Sequence, residues 1–149
     1  GDANILAEIE QFKEENQLNE NVELLGYQSN IYDYLSNSDL MIVPSIAEGF
    51  GLIFLEALNA KLPIIGFDVA ATNEIIEHEK TGILIPPYDI DLLAEAIIKL
   101  LQDENLRNTF SEQGYSRLKG YFSLERMVSQ TVQFYQSAVH SYNNKDRSE

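Results

Sequence analysis

The sequence predicts an α/β fold in which a doubly wound parallel sheet is flanked by helices. Short apolar runs, such as residues 40–43 and 62–67, are typical of parallel strands that are covered on both faces. Between and after these runs, longer segments carry apolar residues at helical spacing, most clearly at residues 89–101. Strands that alternate with helices favour parallel pairing through helical crossovers.

One domain is expected across residues 1–149, with a polar, frayed tail at residues 143–149. The first predicted helix runs from about residue 5 to about residue 16, with Asp2 as its cap. The last predicted helix begins after its expected cap, Ser123, and ends near His140. The elements between them are a strand at 22–25, a short helix at 31–35, a strand at 40–43, a helix ending near Asn59, a strand at 62–67, a helical turn at 73–76, a strand at 82–85, and helices at 89–101 and 104–119.

Composition argues against several classes of partner. The formal net charge is −14, from 10 basic and 24 acidic residues, and a field of that sign repels nucleic acids. There is no cysteine, and His78 and His140 are expected to be surface residues and not metal ligands. No apolar run approaches the roughly twenty residues of a membrane span, and no signal peptide opens the chain. We therefore expect a cytoplasmic protein without metal, cofactor or nucleic-acid partner, and for a longer parent protein peripheral binding at a membrane is left open.

The most informative feature is the loop at residues 44–51, which reads Pro-Ser-Ile-Ala-Glu-Gly-Phe-Gly. It joins a predicted strand to a predicted helix, and this order directs the first N–H groups of the helix towards an anion. Gly49 and Gly51 allow positive φ and let a ligand approach the backbone closely.

Two glutamates, Glu48 and Glu56, frame the start of this helix. Eight helical residues rise roughly 12 Å, which is too far for a retaining-hydrolase dyad with carboxyls about 5 Å apart. The spacing suits the two ends of one elongated ligand, with a diphosphate at the helix start between them. A nucleotide sugar has this shape. The alternative is a plain strand–loop–helix unit with two solvated glutamates.

Residues 48–56, Glu-Gly-Phe-Gly-Leu-Ile-Phe-Leu-Glu, resemble the E-x7-E motif of retaining glycosyltransferases with the GT-B fold, group 1 or family 4. The preceding Pro-Ser and the following Ala57 fit the same pattern. The resemblance implies a Rossmann-like, carboxyl-terminal half of a GT-B fold, which binds the nucleotide-diphosphate sugar that serves as donor substrate.

The resemblance also implies roles for individual residues. Glu48 would contact the donor sugar as the catalytic-site residue, and Glu56 would bind the ribose hydroxyls. The donor loop would include Gly49 and Phe50, and the backbone N–H groups around Gly51 and Leu52 would hold the diphosphate. Loops at 27–30, 45–51 and 69–74 each follow a predicted strand, so they should line one crevice. On that argument Tyr27 could stack on the base of the donor.

The resemblance covers nearly the whole chain, with two departures. Many relatives have paired glycines where this chain has residues 69–73, and the family places an arginine and a lysine on the donor phosphates, upstream of the matching region. The nearest basic residues here, Lys61 and Lys80, lie outside the motif. Residues 1–2 resemble the end of that domain's second strand, and the basic pair is absent from the chain. The chain is therefore interpreted as an excised carboxyl-terminal fragment or a truncated product, which lacks the first strands and the acceptor domain.

These inferences predict the donor-binding part of a retaining glycosyltransferase, which transfers a hexose to a glycan or lipid-linked acceptor through a missing amino-terminal domain. The fragment alone is expected to be inactive. It is also expected to self-associate, either through an exposed final helix that carries Phe134, Tyr135, Val139 and Tyr142 or through the sheet edge that the missing first strands would have covered. Alternatives that the sequence leaves open are a nucleotide-sugar epimerase or phosphorylase-like enzyme on the same architecture, and a non-catalytic binding or assembly module.

Overall fold

The computed structural model describes residues 3–145, which fall into two compact units, one ending at Ile31 and one beginning at Tyr32. The prediction of one domain over residues 1–149 therefore stays a prediction. Asp2, the expected helix cap, and the strand end expected at residues 1–2 lie outside the described residues.

The first unit is built on one helix, α1 (Ala3–Glu15). After the helix the chain turns, and the N–H of Leu18 donates to the carbonyl of Lys13 at 2.9 Å. The strand predicted at residues 22–25 is wrong, because these residues have no strand conformation. A strand needs a neighbouring strand for its backbone N–H and C=O groups, and no described strand pairs with this segment.

The second unit alternates helices and strands. Its elements are α2 (Tyr32–Ser36), β1 (Met41–Val43), α3 (Leu52–Asn59), β2 (Ile64–Phe67), α4 (Ala70–Ile75), β3 (Gly82–Ile85), α5 (Ile90–Gln102), α6 (Glu104–Tyr121) and α7 (Leu124–Lys145). The three strands form one parallel sheet in the order β1-β2-β3. Met41 pairs with Ile64 in one ladder, and Ile64 pairs with Gly82 in the other. The predicted parallel α/β fold is confirmed.

Both faces of the sheet are covered at β2 and β3, as the apolar strands predicted, whereas Ile42 of β1 is 39 % exposed. Every residue of β2 is buried, and its successive residues point to opposite faces. Ile64 belongs to a core cluster with Phe54 and Leu58 of α3, whereas Ile65 belongs to a second cluster with Leu100 of α5 and Phe110 of α6. Helices on the two faces therefore fix the loops that follow the strands.

Two helices are longer than predicted. The helical turn expected at residues 73–76 begins earlier, at Ala70, because the carbonyl of Val69 accepts from the N–H groups of Thr72 and Asn73. Helix α7 continues past His140 to Lys145. The tail predicted to be frayed at residues 143–149 is therefore helical as far as Lys145. Residues 146–149 lie outside the described part of the chain. No glycine or proline interrupts α7. Its predicted cap is confirmed, because Ser123 Oγ accepts from the N–H of Arg126 at 3.2 Å.

Candidate functional site

The site is organised by the turn from the loop after β1 into α3. Gly51 caps the helix in the left-handed conformation, with φ 78° and ψ 55°, and its carbonyl accepts from the N–H of Phe54 at 3.0 Å. A side chain at Gly51 would collide with the ring of Phe54, which is fully buried. The positive φ expected of the loop glycines is thus found at Gly51, and it is not found at Gly49. Glycine is required at Gly51 by geometry alone.

The start of α3 has free hydrogen-bonding capacity. No side chain caps this end of the helix. The first N–H groups of a helix lack intrahelical partners and carry the positive end of the helix dipole. The buried face of α3, formed by Phe54, Ala57 and Leu58, holds the helix against the core. The helix therefore offers a fixed set of donors to an anion.

Two loops meet to form a groove with two lobes, which we call the donor groove after the role that the sequence predicts for it. The smaller lobe, of about 140 Å³, is lined by Glu48, Gly49, Phe50, Ala70, Ala71, Glu74, Ile75 and Phe122. The larger lobe, of about 390 Å³, shares Glu48 and Gly49 and extends between Ile46 and Val69. The loops at residues 45–51 and 69–74 were predicted to line one crevice, and for these two the prediction is confirmed. The carboxyl ends of β1 and β2 meet at one edge of the sheet, which explains the convergence.

The third loop was expected to contribute Tyr27. This residue belongs to the first unit, and its side chain is 92 % exposed. Its role in binding the base stays a prediction.

The donor groove is acidic. Glu48 is half-buried and Glu74 is exposed, and these are the charged side chains among the described residues that line the two lobes. Within the part of the chain that the structure describes, the Glu48 carboxylate has no hydrogen-bond or ion-pair partner, so it is available to a ligand.

The two lysines closest to the motif in sequence are engaged elsewhere. Lys61 Nζ pairs with Glu112 Oε1 at 2.8 Å, and the hydrogen bond to that carboxylate raises the pKa of Lys61 above its ordinary value. Lys80 Nζ pairs with Glu77 Oε2 at 3.3 Å. Neither lysine lines the donor groove. The anion-binding donors that the motif itself supplies are therefore the backbone N–H groups at the start of α3.

Two of the predicted donor-binding residues lie farther along α3. Leu52 is exposed and lines a neighbouring apolar groove together with Phe50, Leu55 and Met127. Glu56 lies on the exposed surface of α3, where its carboxylate makes no hydrogen bond or ion pair with any residue from 3 to 145. The structure brings Glu48, Gly49 and Phe50 together in the donor groove and leaves Gly51, Leu52 and Glu56 outside its two lobes.

Sequence reasoning missed Phe122 as a residue of this site. It lies between α6 and α7, and its ring packs edge-on against Phe50, with centroids 6.5 Å apart and an interplanar angle of 69°. The only local signal is an aromatic residue at the junction of two predicted helices, and that signal does not indicate which loop the ring contacts.

Other classes of site find no support among residues 3–145. No cluster of three or more His, Asp or Glu side chains in this range has the arrangement of a metal site. His78 has a structural role, since its Nδ1 accepts from the N–H of Leu84 at 3.0 Å. None of the helices in the described range combines the length and hydrophobicity that a membrane span requires.

Comparison with known proteins agrees with this geometry. Residues 1–117 match the family described as "Glycosyl transferases group 1". Over 144 residues the chain is 33 % identical to N-acetyl-alpha-D-glucosaminyl L-malate synthase from Bacillus anthracis, covering 97 % of this chain and 38 % of that protein.

Solved structures of other proteins also resemble this chain. Sucrose-phosphate synthase from Thermosynechococcus elongatus superimposes with a TM-score of 0.80 at 30 % identity, over 89 % of this chain and 34 % of that one. TarM from S. aureus, in a structure with Fondaparinux, alpha-GlcNAc-glycerol and UDP, gives a TM-score of 0.81 at 27 % identity, over 85 % of this chain and 26 % of that one.

The fold is that of a glycosyltransferase domain, half of a GT-B fold. The chain belongs to the group 1 glycosyltransferases, which confirms the resemblance seen in residues 48–56. It spans somewhat more than a third of the length of several curated relatives that it matches.

Proposed function

We propose that this chain is the donor-binding part of a retaining glycosyltransferase, which transfers a hexose from a nucleotide-diphosphate sugar to a glycan or lipid-linked acceptor. The observation that carries this proposal is the turn at Gly51, which leads from Glu48 in the donor groove into the uncapped start of α3. Glu56 follows on the exposed side of the same helix. One end of an elongated donor would lie at Glu48, the diphosphate at the helix start, and the ribose at Glu56.

The chemistry would depend mainly on stabilising the leaving group. When the bond between the sugar and the diphosphate breaks, negative charge grows on the phosphate oxygen. The N–H groups of Gly51 and Leu52, together with the helix dipole, are suited to stabilise that charge. Glu48 would hold the sugar hydroxyls and fix the orientation of the reacting carbon. No side chain of this groove is proposed as a nucleophile.

Two relatives support the donor and acceptor classes. The name of an Escherichia coli relative, 27 % identical to this chain, specifies UDP-Gal as donor and a GlcNAc-diphosphoundecaprenol acceptor. A Bacillus subtilis relative, 30 % identical, is named poly(glycerol-phosphate) alpha-glucosyltransferase. A sugar nucleotide as donor, and a lipid-linked or polymeric acceptor, are therefore the substrates we propose for the full-length enzyme.

The acidity of the groove sets a condition on this function. A diphosphate near Glu48 and Glu74 needs more positive charge than the described groove supplies. We propose that basic residues outside the groove provide it in the full-length enzyme. The isolated chain should then bind nucleoside diphosphates weakly and transfer no sugar.

Calorimetric titration of the 149-residue chain with UDP, GDP and ADP tests the proposal, with the matching nucleosides as controls. We expect one diphosphate to bind, and its nucleoside to bind at least about tenfold more weakly, a difference of about 1.4 kcal/mol. The proposal fails if none of the three diphosphates binds at millimolar concentration. Equal binding of nucleoside and diphosphate would contradict the role of the helix start.

A further inference from the structure

Arg117, on α6, ties down the end of α4. Its Nε donates to the carbonyl of Ile75 at 2.8 Å, and its Nη2 donates to the carbonyl of Glu74 at 2.8 Å. Its Nη1 pairs with the carboxylate of Glu77. The Arg117 side chain is only 15 % exposed, whereas that of Glu77 is 41 % exposed. The last carbonyls of a helix lack intrahelical partners, and the planar guanidinium supplies several donors in a fixed geometry to satisfy them.

The same guanidinium lies against two aromatic rings at the junction of α6 and α7. Its central carbon is 5.0 Å from the ring centroid of Tyr121 and 5.7 Å from that of Phe122. Phe122 in turn packs against Phe50, which lies in the loop at residues 44–51. The Arg117 side chain therefore contacts both the end of α4 and the ring of Phe122.

The end of α4 and the two phenylalanine rings both line the smaller lobe of the donor groove. Glu74 and Ile75 of α4 line the lobe from one side, and Phe50 and Phe122 line it from another. Helix α4 has six residues and no side-chain cap, so little in its own sequence fixes its position. Its placement depends on contacts from the rest of the unit.

We propose that Arg117 is a positioning residue of the donor groove, which sets the distance between α4 and Phe122 and so shapes the lobe beside Glu48. This inference rests on the proposed function, since the lobe is taken as part of the donor site. Arg117 does not itself line either lobe, so it acts through the groups that it holds.

The chain offers a matched control in Arg107. It lies on the same helix, and its Nη1 donates to the carbonyls of Leu100 and Leu101 at 2.6 and 2.8 Å, at the end of α5. The bonds are of the same kind, and Arg107 lines neither lobe of the donor groove. A loss of general stability should affect both variants, whereas a loss of groove shape should affect only one.

The experiment compares Arg117→Ala with Arg107→Ala, and Arg117→Lys with Arg107→Lys, in the 149-residue chain. For each variant we would measure urea unfolding, the affinity for whichever of UDP, GDP and ADP binds the unsubstituted chain, and the ¹H–¹⁵N amide spectrum. The lysine pair keeps the positive charge but replaces the planar fork with one ammonium group. The two lysine variants provide the comparison if Arg117→Ala does not fold.

We expect Arg117→Ala to weaken nucleotide binding at least about tenfold, and Arg107→Ala to change it by less than about twofold, although both lose stability. The lysine variants should follow the same order with a smaller loss. The amide signals of Gly49, Ala70 and Ala71 should shift in the Arg117 variants and stay in place in the Arg107 variants.

Equal losses of affinity in the two series, or unmoved groove signals in the Arg117 variants, would overturn the inference and leave the proposed function intact. Absence of nucleotide binding by the unsubstituted chain would overturn both.

Discussion

A Cβ atom at Gly51 would lie 2.5 Å from Cδ2 of Phe54, a side chain with no exposed surface. The backbone at Gly51 is also left-handed, with φ 78°. Two independent constraints, one steric and one conformational, therefore exclude any larger residue at the start of α3. The neighbouring Gly49 has neither constraint, since nothing lies within 4 Å of a Cβ built there. The two glycines of one motif thus have separable roles.

Alanine substitutions should separate these roles. Gly51→Ala is expected to lower the free energy of unfolding by about 2–4 kcal/mol, because it strains the backbone and displaces Phe54. Gly49→Ala should change the free energy of unfolding by less than about 0.5 kcal/mol. It should nevertheless weaken nucleotide binding about tenfold, because a methyl group would occupy the donor groove. Urea denaturation and calorimetric titration measure the two effects. Similar unfolding curves for both variants would contradict the assignment.

The motif glutamates should differ in what they control. Glu56→Gln is expected to weaken nucleotide binding by about 1.5–3 kcal/mol, because a charged acceptor of two ribose hydroxyls becomes an amide. Glu48→Gln should instead lower turnover of the full-length enzyme, with less effect on nucleotide affinity.

The matched control for the glutamates is Glu95→Gln, an exposed carboxylate on α5 that makes the same change in net charge. It should leave both affinity and turnover unchanged. If Glu48→Gln and Glu56→Gln behave like this control, the assignment of the E-x7-E motif is wrong.

Salt should strengthen nucleotide binding by the isolated chain. The net charge of −14 and the two carboxylates of the donor groove repel a diphosphate. Raising the salt from about 10 mM to about 150 mM shortens the Debye length from about 30 Å to about 8 Å, which screens that repulsion. We expect the UDP affinity to rise over this range, while binding of uridine stays constant. A steep fall in UDP affinity with salt would point to basic contacts in the isolated chain.

Helix α7 should mediate self-association of the chain. The expected exposure of its apolar side chains is confirmed: Phe134, Tyr135, Val139 and Tyr142 are between 59 % and 71 % exposed. An apolar stripe of this length favours contact with another apolar surface. Sedimentation over a concentration series should show association that increases with salt, because salt screens the repulsion between acidic copies.

A double variant tests which surface is used. Replacing Phe134 and Tyr135 by serine should reduce the association, whereas Gln133→Ser, on the same helix, should not. A chain that stays monomeric at all concentrations, in low and high salt, would rule out this prediction.

Features that depend on near neighbours in sequence could be predicted without a structure. The strand β3 was predicted with its observed bounds, and Ser123 was recognised as a helix cap. The motif loop was located from its glycines and from the apolar run before it. The apolar sequence of β2 predicts a strand with both faces buried, because these side chains leave water whichever helix packs against them.

Features that depend on packing between distant residues could not be predicted. Residues 22–25 have the composition of a strand, but no described strand pairs with them. Phe122 joins Phe50 only because α6 packs against α3, and Arg117 reaches the end of α4 from a helix far along the chain. The sequence by itself determined the motif, the class of fold and the family. The shape of the groove was decided by tertiary structure, because its walls come from segments whose hydrogen-bond partners and packing surfaces lie far away in sequence.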